Sequence, residues 1–303
     1  GVDFNIEGII INKNDLNWTF NANVGINRNK LKKLNSNLDF QLGPSIGFSQ
    51  AYPILFMVDQ PLGIYWGAET NGVYSSWEEA NASGIAGAAP GEIRYINHHI
   101  DLDDSGQPLE IQEINFDDYV KIGDPNPDFT YSISNNFSYK NWDANILFTG
   151  QKGGDLFWVD SWQLSGLQKT TNILSSSYAN SWIAPLYYEN GNYIYDESIG
   201  NLNSVNHPGA MIETGSRAIS SDRNIFDGSF IRLKNINIGY NFDLKDGKNM
   251  RVYLAGQNLV VWTDYPGYDP EVRTYTKNPQ KRGVDFGTYP GTRSLLLGLK
   301  FNY

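Results

Sequence analysis

The residues best suited to chemistry in this sequence are acidic side chains in one short loop. Asp101, Asp103 and Ser105 occupy alternate positions of an Asp-Leu-Asp-Asp-Ser-Gly segment, a spacing found in the first half of calcium-binding loops. Ser105 replaces the third acid of that pattern, and Gln112 stands where the bidentate glutamate belongs. Binding of Ca²⁺ or Mg²⁺ at 101–106 is therefore one hypothesis, and an acidic turn in a solvated loop is the favoured one.

The histidines do not form a catalytic pattern. His98, His99 and His207 all lie in irregular stretches, and the adjacent pair is interpreted as a solvated pair. A nucleophile elbow, a phosphate-binding glycine loop and a zinc spacing are all missing from the sequence. The absence of cysteine removes disulfides and thiolate metal ligands. We therefore predict no catalytic residue and interpret the chain as a binding protein that is not an enzyme.

Aromatic side chains in the irregular stretch 150–228 are the best candidates for binding. Exposed rings could stack on sugars or pack against a covering protein. The alternative is that each ring packs the loops against each other or belongs to an interfacial girdle of aromatic residues. The candidates are Trp158, Trp162, Trp182, Tyr187 and Tyr188.

Composition limits the fold class. The 303 residues are 14% aromatic and include 30 glycines, which favours β structure with many turns. The net charge of −10 argues against nucleic acid as a partner. No apolar run approaches the ~18 residues of a membrane helix, so a membrane-spanning form of this chain would have to be a barrel.

Alternation of apolar and polar residues predicts seven strands. Period 2 is clearest from Trp18 to Asn27 and in the closing segment. That closing strand places Leu295, Leu297, Leu299, Phe301 and Tyr303 on one face, which needs a second sheet or lipid as its cover. The predicted strands are about 1–11, 16–27, 128–139, 142–149, 229–243, 250–262 and 293–303.

Short and long connections alternate strictly along the chain. The short turns are 12–15, 140–141 and 244–249, and the long connections are 28–127, 150–228 and 263–292. An up-and-down antiparallel sheet then places every short turn at one end, as membrane barrels do with periplasmic turns and extracellular loops. Seven strands fall below the even minimum of eight for a bacterial barrel. We therefore predict an all-β, transmembrane, antiparallel up-and-down β-barrel, of which this chain is one part.

One predicted strand carries basic residues and an irregularity. Ile231 and Leu233 differ in parity from Ile236, so we expect a bulge near Lys234 or Asn235. Arg232 and Lys234 must face the lumen or the interface, because a basic residue at the bilayer midplane costs about 2–4 kcal/mol. Contact with substrate or a plug in the lumen is one hypothesis for them, and support of a neighbouring carboxylate is the favoured one.

Several segments together resemble SusC-like (SusC/RagA) TonB-dependent outer-membrane transporters, in the C-terminal part of the barrel. The resemblance covers essentially the whole chain and rests on segments 1–4, 122–129, 228–240, 251–259, 262–272 and 289–293. It implies a 22-stranded barrel in the outer membrane of a Gram-negative bacterium, contacting outer-membrane lipid, with a plug, a TonB-binding segment and a signal peptide outside these residues. It also implies a SusD-like surface lipoprotein as partner, and a role for Tyr303 as an assembly signal.

The function that this resemblance implies is active import of glycans or oligopeptides. The alternative is a SusC-like barrel that serves as a structural subunit of a larger outer-membrane complex without transport. A soluble β-sandwich adhesin is a third and more distant hypothesis. The choice between glycan and peptide stays open, because the loop aromatics suit both.

Overall fold

The computed structural model describes eight stretches of the chain. They are 1–35, 38–47, 52–167, 172–183, 186–195, 219–272, 274–275 and 277–302. These residues contain eighteen strands. In chain order the strands are β1 (Val2–Lys13), β2 (Leu16–Ile26), β3 (Phe40–Leu42), β4 (Ile54–Met57), β5 (Ile64–Gly67), β6 (Thr70–Val73), β7 (Ile93–Tyr95), β8 (Val120–Gly123), β9 (Pro127–Tyr139), β10 (Trp142–Gly153), β11 (Asp155–Trp158), β12 (Leu186–Glu189), β13 (Asn192–Tyr195), β14 (Ile225–Asp227), β15 (Phe230–Asp243), β16 (Asn249–Trp262), β17 (Val284–Asp285) and β18 (Ser294–Asn302).

Helices are short. The α-helices are α1 (Trp77–Ala82) and α2 (Ser175–Asn180), and a π-helical turn spans Gln163–Leu167. Single 3₁₀ turns lie at Phe116–Asp118, Asp222–Asn224, Lys245–Gly247 and Pro279–Lys281. None of the helices in the described stretches has the length and apolarity needed to cross a membrane.

Seven long strands form one antiparallel sheet. Its order is β1-β2-β9-β10-β15-β16-β18, so each long strand pairs with the next long strand along the chain. This is the predicted up-and-down order. The long strands match the predicted ones within two residues, apart from the end of β10. The assignment of the whole chain to one barrel domain stays a prediction.

Strand β10 runs further than its sequence suggests because of a glycine. The sequence predicts that a connection begins at Gly150, yet this residue pairs with Tyr131 inside the ladder. A Cβ at Gly150 would lie 2.5 Å from Tyr131 Cζ, so only glycine lets that ring lie across the strand. The glycine therefore marks close side-chain packing within the strand.

The predicted bulge is present. The pairing of β15 with β10 shifts register where Leu147 pairs with Asn235 and Phe148 with Leu233, which leaves Lys234 as the extra residue. The partner on the other side, β16, shifts at the same place, between Val260 and Gln257, and there the extra residue lies in β16. The bulge reconciles the two parities seen in the sequence of β15.

The short turns lie together at one end of the sheet. Two of them have two-residue loops whose first residue has left-handed backbone, Asn14 with φ 46° and Lys140 with φ 51°, as tight hairpins require. The third contains the 3₁₀ turn Lys245–Gly247, and Gly247 supplies φ 75°. The long connections consequently all leave from the opposite end.

The two faces of the sheet differ in chemistry. One face carries large apolar side chains that are more than half exposed, such as Phe4, Leu254 and Leu297. The opposite face, which we call the polar face, carries cross-strand rows of amides and hydroxyls, such as Asn21 paired with Ser134. The buried hydrophobic residues of the described chain are nearly all in the long connections.

The three long connections pack into a single structure, which we call the loop layer. One buried cluster draws Ile54 and Tyr65 from the first connection, Phe157 and Trp162 from the second, and Val284 from the third. Parallel pairing of β11 with β17 joins the second and third connections. The loop layer is therefore a folded cap with its own core.

The loop layer also contains regular structure that alternation did not reveal. Strands β3, β4, β5 and β8 form a four-stranded sheet within a stretch whose sequence shows no period. Each of these strands has three or four residues, too few for a period-2 pattern to stand out. Helix α1 also lies in this stretch and begins after its N-cap Ser76.

Candidate functional site

A network of charged and amide side chains lies on the polar face near the short turns. Arg251 Nε donates to Asp143 Oδ1 at 2.9 Å, and a second bond joins Arg251 Nη2 to the other carboxylate oxygen. Asn237 and Asn241 contact this pair at 2.7 and 2.9 Å. A Cβ at Gly239 would lie 2.5 Å from Arg251 Nε. Glycine therefore gives the guanidinium room to cross the strand and meet Asp143.

A buried ion cluster connects the sheet to the loop layer. Arg232 is 3% exposed, and its Nη2 pairs with Asp269 Oδ1 at 2.5 Å. Its Nε lies 2.7 Å from Glu271, at an angle that suits an ion pair better than a hydrogen bond. Asp269 also accepts a bond from the amide of Gly291 at 3.0 Å. The expectation that Arg232 and Lys234 support a carboxylate is confirmed, since Lys234 also lies 3.5 Å from Glu271.

The predicted loop tryptophans are buried. Trp158, Trp162 and Trp182 are 7%, 6% and 8% exposed. Trp158 packs edge-on against Tyr265, and Trp162 packs edge-on against Phe157. Their packing fits the alternative interpretation, in which the rings hold the loops together. Contact with substrate or partner stays a prediction for them and gains no support from this placement.

Tyr187 and Tyr188 were predicted alongside the tryptophans. Their backbone belongs to β12, which forms a two-stranded hairpin with β13. Their side chains lie outside what the structure describes, as do Tyr303 and His207. The predicted roles of these residues stay predictions.

The acidic loop at 101–106 is held by its own backbone. Asp103 Oδ1 accepts bonds from the amides of Ser105 and Gln107 and from the Ser105 hydroxyl. These bonds, that of the Ser105 hydroxyl first, lower the pKa of Asp103. Asp101 Oδ2 accepts from the amide of Glu113 at 3.0 Å. Within the described stretches no group of three acidic, His or Cys side chains has metal-binding geometry. Ca²⁺ or Mg²⁺ binding here stays a prediction.

His98 and His99 support the same region through their backbone. Both backbone amides donate to Asp118 Oδ1 at 2.9 Å, and Asp118 is fully buried. The ring of His98 lies 3.1 Å from Glu69. The pair therefore has a local partner that the sequence did not suggest, and the contacts are structural.

Buried and half-buried ionisable groups link the connections of the loop layer. Burial raises the pKa of Asp160, and the nearby charge of Asp285 adds to this. Asp160 Oδ2 accepts from the amide of Gly287 at 2.8 Å, which ties the second connection to the third. Burial also raises the pKa of Tyr265, whose hydroxyl bonds to Asp285. The Asp160 bond therefore joins two connections, and the Tyr265 bond lies within the third.

Two adjoining cavities lie where the loop layer meets the sheet. The first, the loop cleft, has a volume of about 540 Å³ and an apolar wall that includes Leu31, Phe56 and Leu62. The second, the face cavity, has a volume of about 560 Å³ and includes Asp3 and Thr130 of the polar face. Both volumes are large enough for several sugar or amino-acid units.

Three residues line both cavities. Asn29, Asn126 and Arg282 are shared, and Asn29 Nδ2 donates to Asn126 Oδ1 at 2.9 Å. Arg282 Nη1 lies 3.4 Å from the same oxygen. The Tyr65 hydroxyl donates to the Arg282 carbonyl at 2.9 Å and fixes its backbone. Sequence reasoning missed this site. The available signal was basic residues clustered at 28–33 and 277–282.

The strand that closes the sequence has the predicted two faces. Leu295, Leu297 and Leu299 are 72–74% exposed, and Phe301 is 52% exposed. They form a continuous apolar surface with the neighbouring strand, since Leu297 pairs with Leu254. Their contact with lipid stays a prediction, and nothing else in the described chain covers them.

Comparison with known proteins finds relatives that cover the whole chain. No family model matches it. TonB-dependent receptor P3 of Formosa agariphila is 32% identical over 315 residues, which cover the whole of this chain and 28% of the relative. This chain belongs to the SusC-like TonB-dependent receptors. The predicted resemblance is confirmed.

Two further relatives within the same family agree. TonB-dependent receptor P26 of Formosa agariphila is 25% identical over the whole chain and 29% of its own length. TonB-dependent receptor SusC of Bacteroides thetaiotaomicron is 31% identical over 133 residues, or 37% of this chain and 12% of SusC. The chain therefore spans less than a third of the curated relatives that it matches.

Solved structures of the SusC-like type share the fold. The RagAB peptide transporter matches 99% of this chain and 28% of its own, with a TM-score of 0.68 at 18% identity. The RagAB peptide importer in an "open-open" state gives a TM-score of 0.66. This likeness confirms the predicted fold class, an all-β, antiparallel, up-and-down sheet that matches part of the RagA barrel.

Proposed function

We propose that the chain is the C-terminal part of a barrel that imports large nutrients across the outer membrane of a Gram-negative bacterium. The proposal includes energy coupling through TonB, which would act on a plug outside these residues. Membership of the SusC-like receptors supports this proposal. The proposal applies the import role of the receptor family to the longer protein that contains this chain.

The observation that carries the proposal is the opposite chemistry of the two sheet faces. Leu254, Leu297 and Leu299 are exposed on one face, while Asp143, Asn237 and Arg251 occupy the other. The three leucines are more stable in contact with lipid than with water. The charged and amide side chains must instead face the interior of a barrel, away from lipid. A barrel built from such strands has a wet interior for solutes.

The loop layer suggests how substrate and partner are met. Its core joins the three long connections at one end of the sheet, and residues of the first and third connections line the loop cleft. We propose that a SusD-like surface lipoprotein covers this layer from outside, so that solute is captured between the two proteins. The solute would be a glycan or an oligopeptide, and a role within a larger envelope complex is compatible with the same surface.

Deletion and complementation test the proposed function. Cells that lack the full-length gene should lose growth on at least one glycan or oligopeptide, and uptake should stop when a protonophore collapses the proton gradient that drives TonB. A mutant with unchanged uptake of every nutrient, together with loss of a larger envelope complex on native gels, would instead support the structural-subunit alternative.

A further inference from the structure

Basic residues are concentrated around the loop cleft although the protein is acidic. The chain has a net charge of −10, yet segments 28–35 and 277–282 contain seven of its 23 basic residues and no acid. Both segments contribute to the lining of the loop cleft. A local positive potential in an acidic protein points to an anionic ligand.

Some of these cations have carboxylate partners and others do not. Lys30 pairs with Asp59 at 2.8 Å, and Arg28 pairs with Asp128 at 3.0 Å. Among the described residues, Lys33, Lys277 and Arg282 form no salt bridge, and Lys32 acts on Asp59 only through its charge at longer range. The described lining of the loop cleft includes no acid at all. Positive charge therefore remains available to a ligand.

Arg282 holds the central position. It lines both the loop cleft and the face cavity, so a solute that moves from the loop layer to the polar face passes its guanidinium. Its described side-chain contact is the 3.4 Å approach of Nη1 to Asn126, which leaves other N–H groups for a ligand. A guanidinium offers paired donors that match a carboxylate or a sulfate.

We propose that the loop cleft binds an acidic oligosaccharide, with Arg282 contacting its carboxylate or sulfate groups. The idea rests on the proposed import function and specifies its substrate class. Gln41 and Gln280 in the lining can exchange hydrogen bonds with hydroxyl groups, and Phe56 offers an apolar surface to a sugar ring. An extended peptide that adds as a strand would find only the three residues of β3 beside the cleft.

Equilibrium binding to the purified full-length protein tests the ligand class. The probes are an oligogalacturonate, a sulfated galactan oligosaccharide, a neutral malto-oligosaccharide of equal length and an oligoglutamate peptide. At least one acidic sugar should bind about tenfold or more tightly than the neutral sugar, as one charge-assisted contact allows. Its affinity should fall as salt is raised. The two acidic probes distinguish carboxylate from sulfate.

Matched variants test the position of the site. Arg282→Gln should weaken the acidic sugar about tenfold, with no change for the neutral sugar. Lys33→Gln should weaken it less, since an exposed lysine acts only at longer range. Lys248→Gln, in the short turn at the opposite end of the sheet, should change nothing. Arg282→Gln keeps the backbone carbonyl that Tyr65 holds, so the fold is preserved.

Three results would overturn the inference. They are equal binding of neutral and acidic sugars, tighter binding of oligoglutamate than of either acidic sugar, and equal effects of Arg282→Gln and Lys248→Gln. Uptake measured in the same strain separates this from the proposed function. Import of a neutral glycan or a peptide with no acidic-sugar binding would refute the acidic class and leave import intact.

Discussion

The sheet and the loop layer use the same apolar residue types in opposite ways. In the sheet, Leu254 and Leu297 are more than half exposed, while in the loop layer Leu55 and Phe157 are fully buried. Water cannot favour both arrangements, because exposed apolar surface on this scale costs free energy. The loop layer buries its apolar side chains as a water-soluble protein does. The sheet exposes them, which suits a non-aqueous environment.

The two regions also differ in how deeply their charged side chains are buried. In the loop layer, the described carboxylates of Asp118, Asp269 and Asp285 are buried and bonded to amides, hydroxyls or Arg232. On the polar face, Asp143 and Arg251 are partly exposed. Loss of a buried partner should therefore harm the loop layer more than a comparable change harms the polar face.

The largest expected effect is in the buried ion cluster. Asp269→Ala removes the partner of Arg232, which is 3% exposed, and should destabilise the loop layer by about 3–5 kcal/mol. Hydrogen exchange of the loop amides in the full-length protein would measure the loss. Asp143→Ala on the polar face is the control and should cost less. Equal losses would remove the distinction between the two regions.

The next effect separates the two faces of the sheet. Leu297→Arg places a cation on the apolar face and should cost about 2–4 kcal/mol if that residue lies near the midplane of a bilayer. Leu296→Arg, one residue away on the opposite face, should cost much less. The amount of each variant assembled in the outer membrane would measure this. Similar assembly of both would contradict the assignment of faces.

A smaller effect is expected where glycine accommodates a guanidinium. Gly239→Ala would put a Cβ 2.5 Å from Arg251 Nε and should cost about 1–3 kcal/mol, because the side chain has to move away from Asp143. Gly8→Ala in the same sheet, where the Cβ meets nothing within 4 Å, is the control. Thermal unfolding of both variants in detergent would compare them.

The smallest effect concerns pH and the loop layer. Burial raises the pKa of Asp160 above its ordinary value of 3.8, so the folded loop layer holds that proton more tightly than the unfolded chain does. Stability should accordingly fall as pH rises from about 3.8 through the raised pKa. Asp160→Asn should remove this part of the pH dependence in loop proteolysis. An unchanged pH profile would show that Asp160 is not the group.

Much of the sheet could be predicted because its rules are local. Alternation of apolar and polar residues predicted the seven strands, and the change of parity predicted the bulge near Lys234. The lengths of the connections predicted which end of the sheet carries the short turns. The end of β10 was wrong because Gly150 signals a break in sequence, while in the sheet it makes room for Tyr131. That room depends on a neighbouring strand, which local patterns do not contain.

The loop layer could not be predicted in the same way. Tyr65, Phe157 and Val284 come from three connections and meet in one core, and nothing in their local sequence encodes the meeting. The same holds for the loop cleft, since Asn29, Asn126 and Arg282 are brought together only by the fold. The position of Arg232 in a strand correctly predicted a carboxylate partner, but only the structure shows which carboxylates these are.

The central claim is that alternate residues of the sheet face lipid and water. Single cysteines with spin labels can be introduced from Val252 to Gln257 and from Leu295 to Lys300, since this chain has no cysteine of its own. The host is the full-length protein with every cysteine outside these residues replaced by serine. We predict that labels at Leu254, Leu295, Leu297 and Leu299 collide with oxygen dissolved in the bilayer, while those at Tyr253, Ala255 and Leu296 collide with a water-soluble nickel reagent. Equal access to the water-soluble reagent at both sets of positions would contradict the account.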